Sequence, residues 1–95
     1  LFTPVELAER LGARISARRK QMRLSQIVAA ERAGVSHRTW RRMENNGKAS
    51  IDDLVRAALA LRCEREIEDL FPALPARTMD ELLKRSRTRS PQGSA

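Results

Sequence analysis

Apolar residues recur at helical spacing along most of the chain, and no alternating run of apolar and polar residues predicts a strand. Near the amino end, one stripe holds Leu7, Leu11, Ile15 and Met22, which predicts an amphipathic helix that buries this face. Thr3 and Glu6 have the spacing of a capping box, so this helix is expected to begin there. The pattern therefore predicts an all-α fold.

Residues that start and stop helices divide the pattern into five or six short helices. Gly12 weakens the first by about 1 kcal/mol relative to Ala, so this segment is expected either as one helix or as two pieces that meet there. Ser25, Ser36 and Ser50 are candidate N-caps of the next three helices, and Gly34 suits the left-handed turn after the second. The helices after the first are expected at about 26–33, 37–45, 51–61 and 64–71.

The charge balance favours a polyanionic partner. The chain has 95 residues, enough for one small domain, and its 19 Lys and Arg against 12 Asp and Glu give a formal net charge of +7. No run of about 18 apolar residues is present, so no membrane-spanning helix is expected. Nucleic acid is favoured over a membrane surface, because a five-helix core is expected to consume the apolar helix faces.

The inventory of reactive side chains argues against an enzyme. His37 is the only histidine and Cys63 the only cysteine, so the chain can assemble neither a structural zinc centre nor a catalytic triad away from His37. The four glycines lie too far apart for a phosphate-binding loop. We therefore expect no catalysis and no cofactor, and the lone cysteine favours a reducing, cytoplasmic setting.

Two short helices joined by a tight turn that contains Gly, in a basic domain, are the elements of a helix-turn-helix. The second helix of such a pair enters the major groove of DNA. Its spacing places Val35, Trp40 and Met43 toward the core and leaves the basic positions for DNA. Two alternatives remain at this stage: the basic face is merely solvated, or Trp40 is partly exposed and touches DNA.

A family resemblance rests on Leu24-Ser25-Gln26, on the run from Ala30 to Ser36, and on Thr39, Arg42, Glu44 and Gly47. In combination these residues resemble the Xre family of phage-repressor-type helix-turn-helix proteins, from about Leu11 to Leu70. The resemblance implies a five-helix all-α domain that binds double-stranded operator DNA, usually as a homodimer, in the bacterial nucleoid. We expect the domain at residues 1–71 and a short extension at 72–95.

The resemblance also implies individual contacts. His37 and Arg38 would lead base recognition, and Gln26 would touch phosphate or the first base. Glu44 would be structural, with Arg14 or Arg18 as its expected partner. The full set expected at DNA is Gln26, Ser36, His37, Arg38, Thr39, Arg41, Arg42, Asn46 and Lys48. Charge and proximity add Arg19 and Arg23 as candidate phosphate contacts.

Two interior positions depart from the family pattern. Ala29 stands where Leu is usual, and Trp40 stands where Ile or Val is usual. Both lie between the two helices of the motif, so the small and the large side chain are hypothesised to compensate in volume.

The carboxyl-terminal segment carries a narrower resemblance. A Leu-Phe-Pro stop followed by the run from Arg77 to Leu83 and a basic end resembles small HipB-type antitoxin regulators, which bind a HipA-type kinase toxin. Met79, Leu82 and Leu83 would then form an apolar strip for the partner, or else fold back on this domain or its dimer mate. The expected function is a repressor that autoregulates a toxin–antitoxin operon. The alternative is a protein-interaction module that neutralises a partner, with DNA binding secondary.

Overall fold

The computed structural model describes residues 1–75, and over these residues the chain is all-α with five helices and no strand. The expected partner strip of Met79, Leu82 and Leu83 lies outside the described residues, as does the basic end. The helices are α1 (Pro4–Gln21), α2 (Gln26–Ala33), α3 (His37–Asn46), α4 (Ile51–Ala60) and α5 (Glu64–Glu68).

Side-chain caps start the first four helices, as the sequence predicts. Thr3 and Glu6 form the full capping box, with the Thr3 amide 2.8 Å from Glu6 Oε1 and the Glu6 amide 3.1 Å from Thr3 Oγ1. Ser25, Ser36 and Ser50 each accept the amide three residues later at 3.0–3.1 Å. Each cap satisfies an amide that the first helical turn would otherwise leave without a partner.

Helix α1 is a single helix, and Gly12 in its middle is a packing requirement. A Cβ atom at Gly12 would lie 2.5 Å from the carbonyl oxygen of Met43 and 2.7 Å from that of Glu44. A Cβ atom at Gly47, which ends α3 with a φ of 65°, would lie even closer to the carbonyl oxygen of Ala8. Two glycines therefore let α1 and α3 pack so closely that no Cβ atom fits between their backbones at these positions.

The core lies where α1, α2 and α3 meet α4. Trp40 and Met43 are its largest fully buried side chains, at 0% and 1% exposure. The expectation that both point inward is therefore confirmed, and the alternative of a partly exposed Trp40 is wrong. Ala29 is also fully buried in the same cluster, beside which Val35 packs half-buried.

The expectation that the five helices would consume all apolar faces is wrong. Leu7 and Leu11 are 52% and 42% exposed, and Leu59 on α4 is 56% exposed. The reason is that α1 packs on α3 through a neighbouring stripe, while α5 packs on α4. Helix α5 also ends at Glu68, before the expected Phe71, which has a φ of 55°.

None of the helices in the described part is both long and apolar enough to cross a membrane.

Candidate nucleic-acid interface

Helices α2 and α3 are joined by a tight turn of three residues. Gly34 ends α2 in the left-handed conformation with a φ of 75°, which a residue without Cβ adopts at no steric cost. The Val35 amide then donates to the Ala30 carbonyl at 3.0 Å, and Ser36 caps α3. This turn sets the angle at which α3 leaves α2.

Helix α3 is divided sharply into a buried face and a cationic face. Trp40, Met43 and Glu44 are buried. The side chains of His37, Arg38, Arg41 and Arg42 are exposed, as is Asn46 at the end of the helix. A helix with this division presents its cations to solvent on a scaffold that cannot rotate without exposing Trp40.

The hydroxyls of Ser36 and Thr39 are already engaged with each other. Ser36 Oγ accepts the Thr39 amide at 3.0 Å and donates to Thr39 Oγ1 at 2.9 Å. Thr39 is half-buried, whereas Ser36 is exposed. Both remain predicted DNA contacts, but the cap uses the Ser36 hydroxyl as both acceptor and donor.

A buried ion pair fastens α3 to α1. Arg19 Nε donates to Glu44 Oε2 at 2.6 Å and Arg19 Nη2 donates to Glu44 Oε1 at 3.1 Å, with both residues 8% exposed. The Trp40 indole N–H donates to the same Oε2. The structural role expected for Glu44 is therefore confirmed.

The expectation that Arg14 or Arg18 pairs with Glu44 is wrong. Arg18 donates to the carbonyl oxygens of Leu61 and Arg62 at 3.0 and 3.3 Å, and Arg14 is exposed. The expectation of a phosphate contact at Arg19 also fails, because burial removes its guanidinium from solvent. Helical spacing could have predicted that Arg19 is buried, because Arg19 lies four residues after Ile15 and therefore on the same face of α1.

Glu44 is ionised in this setting. Burial by itself raises the pKa of its carboxyl, but hydrogen bonds from Arg19, Gln26 and Trp40, together with the charge of Arg19, outweigh burial and lower the pKa. Each carboxylate oxygen accepts two hydrogen bonds, so the buried charge is fully satisfied.

Gln26, the first residue of α2, connects this buried charge to the exposed start of α3. Its Nε2 donates to Glu44 Oε1 at 2.9 Å, and its Oε1 lies 3.4 Å from Nε2 of His37. The structure thus brings together two residues expected at DNA, Gln26 and His37. The sequence did not indicate their connection through Glu44, which depends on the angle between the helices.

A polar cleft opens between α3 and the start of α4. It has a volume of about 290 Å³. Arg42 and Lys48 supply two positive charges, and Asp53 in the first turn of α4 supplies one negative charge. Its full lining is Thr39, Arg42, Lys48, Ala49, Ser50 and Asp53. The net positive charge and the helix amino terminus both favour an anion here.

The described residues hold no group of three or more His, Cys, Asp or Glu side chains placed to bind a metal ion.

The arrangement matches a known family. Residues 10–70, more than half of the chain, match the family model for the helix-turn-helix domain. The match includes all of α2 to α5 and most of α1. A search among curated proteins returned no significant match.

Proposed function

The chain belongs to the family of helix-turn-helix domains, and on that premise we propose that it is a sequence-specific transcriptional repressor that binds operator DNA as a homodimer. The domain itself indicates a DNA-binding regulator. The single observation that carries the proposal furthest is the cationic face of α3, held in place by the burial of Trp40 on the opposite face.

Base recognition is assigned to the exposed side chains at the start and middle of α3. Arg38 and Arg42 lie four residues apart, one helical turn, and therefore share a face. Arginine holds the O6 and N7 atoms of guanine with two hydrogen bonds, which contributes about 1–3 kcal/mol of discrimination against a wrong base. His37 and Arg41 extend this surface.

Backbone contact is assigned to the cleft between α3 and α4. Lys48 stands in the loop before α4, where a phosphate would meet its ammonium group and the amide groups of the first turn. Asn46 lies beside this loop and is exposed. Phosphate contacts fix the register of the protein on DNA and carry no sequence information directly.

The homodimer is supported by apolar side chains on the surface of the described part. Leu59 is 56% exposed, and Leu70, Phe71 and Leu74 at its end are 54–90% exposed. A small domain that leaves this many large apolar side chains in water gains free energy by covering them. The Xre resemblance supports a two-fold dimer, which would read a palindromic operator with half-sites one or more helical turns apart.

The finer proposal is that this repressor autoregulates a toxin–antitoxin operon as its antitoxin and binds a HipA-type kinase. Its support is the resemblance of the carboxyl-terminal segment, which lies outside the described residues. The same exposed apolar residues favour the second candidate, a protein-interaction module in which neutralisation of a partner is the main task. Both candidates need a partner surface, and they differ in whether DNA binding is essential.

A fluorescence-anisotropy titration tests the proposal. One duplex carries the sequence immediately upstream of the gene and the other a scramble of equal composition, each at 50 and 200 mM salt. A preference of about a thousandfold or more for the upstream duplex is expected of a specific regulator. Equal affinity for both duplexes would contradict autoregulation, and no binding at low salt would contradict DNA binding.

Paired variants separate the two candidates. The double variant Arg38→Ala/Arg42→Ala should abolish the preference, whereas Arg65→Ala on α5 removes one exposed positive charge and should preserve it. If the double variant retains both the preference and repression of a reporter, α3 is not the reading helix. If it loses DNA binding but still neutralises its partner in cells, the interaction module is the better description.

A further inference from the structure

The hydrogen bonds that link Glu44, Gln26 and His37 have a fixed direction. An ionised carboxylate only accepts, so the group of Gln26 that faces Glu44 must be its NH₂. The carbonyl oxygen of the same amide then faces His37. An amide oxygen also only accepts, so Nε2 of His37 must be the donor in this contact.

The direction of these hydrogen bonds also determines which nitrogen of the neutral His37 ring carries the proton. A neutral ring carries one N–H, and when this N–H is at Nε2 the other nitrogen is an acceptor. No described residue donates a hydrogen bond to Nδ1 of His37, and the side chain is exposed at the start of α3. His37 therefore presents a hydrogen-bond acceptor to whatever meets this helix.

We propose that Glu44, although it is buried and cannot touch DNA, is a positioning residue that fixes the amide of Gln26 and thereby makes His37 select a base with an exocyclic amino group. In the major groove these bases are adenine, through N6, and cytosine, through N4. This inference rests on the proposed DNA-binding function and names the base chemistry that one position of that surface reads.

Replacing the Glu44 carboxylate by a neutral amide should reverse donor and acceptor in the hydrogen bonds that link residue 44, Gln26 and His37. In Glu44→Gln, an NH₂ group on the Oε2 side would face two donors, the Arg19 Nε–H and the Trp40 N–H. On the Oε1 side it would face Arg19 Nη2 and Gln26, and of these the Gln26 amide can turn over. The turned amide offers its NH₂ to His37, so Nε2 becomes the acceptor and Nδ1 carries the proton.

The first arm of the test needs no DNA. His37 is the only histidine, so its ring nitrogens give an unambiguous ¹⁵N NMR spectrum of the full chain. In spectra recorded at about pH 8, the wild type should show the Nε2–H form and Glu44→Gln should move toward the Nδ1–H form. The same tautomer in both chains would overturn the proposal.

The second arm measures base preference by selection from a library of randomised duplexes. His37→Ala identifies the base pair that depends on His37. At that pair the wild type should prefer the natural base over an analogue without the exocyclic amino group, such as purine in place of adenine or 2-pyrimidinone in place of cytosine. Gln26→Met removes both amide hydrogen bonds but leaves the Arg19–Glu44–Trp40 contacts in place, which protects the test if Glu44→Gln does not fold. It should lower the preference at that position by roughly three- to tenfold, the effect of one hydrogen bond.

Controls separate this proposal from the function on which it rests. Gln21→Met, an exposed glutamine at the end of α1, should leave every base position unchanged. Equal affinity for the natural base and for the analogue without the amino group at the His37 position, or an unchanged preference in Gln26→Met, would overturn the role of Glu44 while DNA binding stands. A wild type that enriches no sequence would overturn the DNA-binding proposal itself, and the reading of bases by His37 with it.

Discussion

Arg19 and Glu44 form a buried ion pair in which the Arg19 side chain is 10% exposed and the Glu44 side chain 3% exposed. The guanidinium contacts both carboxylate oxygens, and its remaining nitrogen, Nη1, donates to the Leu24 carbonyl at 2.8 Å. One side chain of α1 thus holds both α3 and the segment that leads into α2. The stability of the domain and the alignment of its reading helix depend on the same contact.

Removing one partner of this pair should destabilise the fold strongly. Arg19→Met keeps the length of the side chain and leaves the Glu44 carboxylate buried without its countercharge, which typically costs about 3–5 kcal/mol. The double variant Arg19→Met/Glu44→Met buries no charge and should recover part of that loss. Urea unfolding followed by circular dichroism measures both values, and a loss below about 1 kcal/mol in the single variant would show that the pair contributes little.

The free energy of unfolding should depend on pH through Glu44. Its pKa in the fold is below the ordinary value of 4.5, so the unfolded chain binds the proton more readily. The stabilisation from this group is therefore fully present above pH 4.5 and is lost as the pH falls through the lower pKa of the folded state. Glu44→Gln lacks this pH-dependent stabilisation. The difference in free energy of unfolding between wild type and variant should therefore become smaller as the pH falls.

Urea unfolding at intervals between about pH 7 and pH 3 tests this expectation. Glu6, whose pKa is lowered by its hydrogen bonds to Thr3, remains in both chains, and its contribution cancels in the difference. If the difference in free energy of unfolding stays constant or grows toward pH 3, Glu44 does not stabilise the fold through a lowered pKa.

Gly12→Ala should destabilise the protein even though Ala is the better helix former by about 1 kcal/mol. The added Cβ would meet the carbonyl oxygens of Met43 and Glu44 at 2.5 and 2.7 Å, and these backbone atoms cannot move without shifting α3. Overpacking of this kind typically costs about 1–3 kcal/mol. Thermal unfolding measures the change, and Ala13→Gly, at the adjacent exposed position, should cost about 1 kcal/mol through helix propensity alone. An increase in melting temperature for Gly12→Ala would contradict the close approach of the helices.

The sequence predicted the features that depend on neighbouring residues, because caps and helical spacing are local. Ser25 and Ser36 cap the helices they were expected to cap, and Trp40 is buried on the face that its spacing indicates. The stripe predicted for α1 is correct at Ile15 and wrong at Leu7 and Leu11. Leu7 and Leu11 are the larger apolar residues, but the buried stripe passes through Gly12 and Ile15 because α3 approaches too closely for leucine.

The candidate site was predictable as a set of residues and unpredictable as a network. The exposed cations of α3 follow from the helix period and the resemblance. The partner of Glu44, and its link to Gln26, follow from the crossing angles of three helices, which no local pattern encodes. Contacts between residues 18 and 25 positions apart need the fold before they can be assigned.

Lys48 and Arg38 should affect DNA binding in different ways, because one is assigned to phosphate and the other to a base. Lys48→Ala should weaken binding to upstream and scrambled duplexes alike and reduce the slope of log affinity against log salt by about 1. Arg38→Ala should weaken binding mainly to the upstream duplex, by about 1–3 kcal/mol, and relax selection at one base position. Anisotropy titrations of both variants on both duplexes across a salt series separate the two effects, with Arg65→Ala as the control for loss of one positive charge. If Lys48→Ala and Arg38→Ala change the two affinities in the same proportion, the assignment of the cleft to the backbone and of α3 to the bases is wrong.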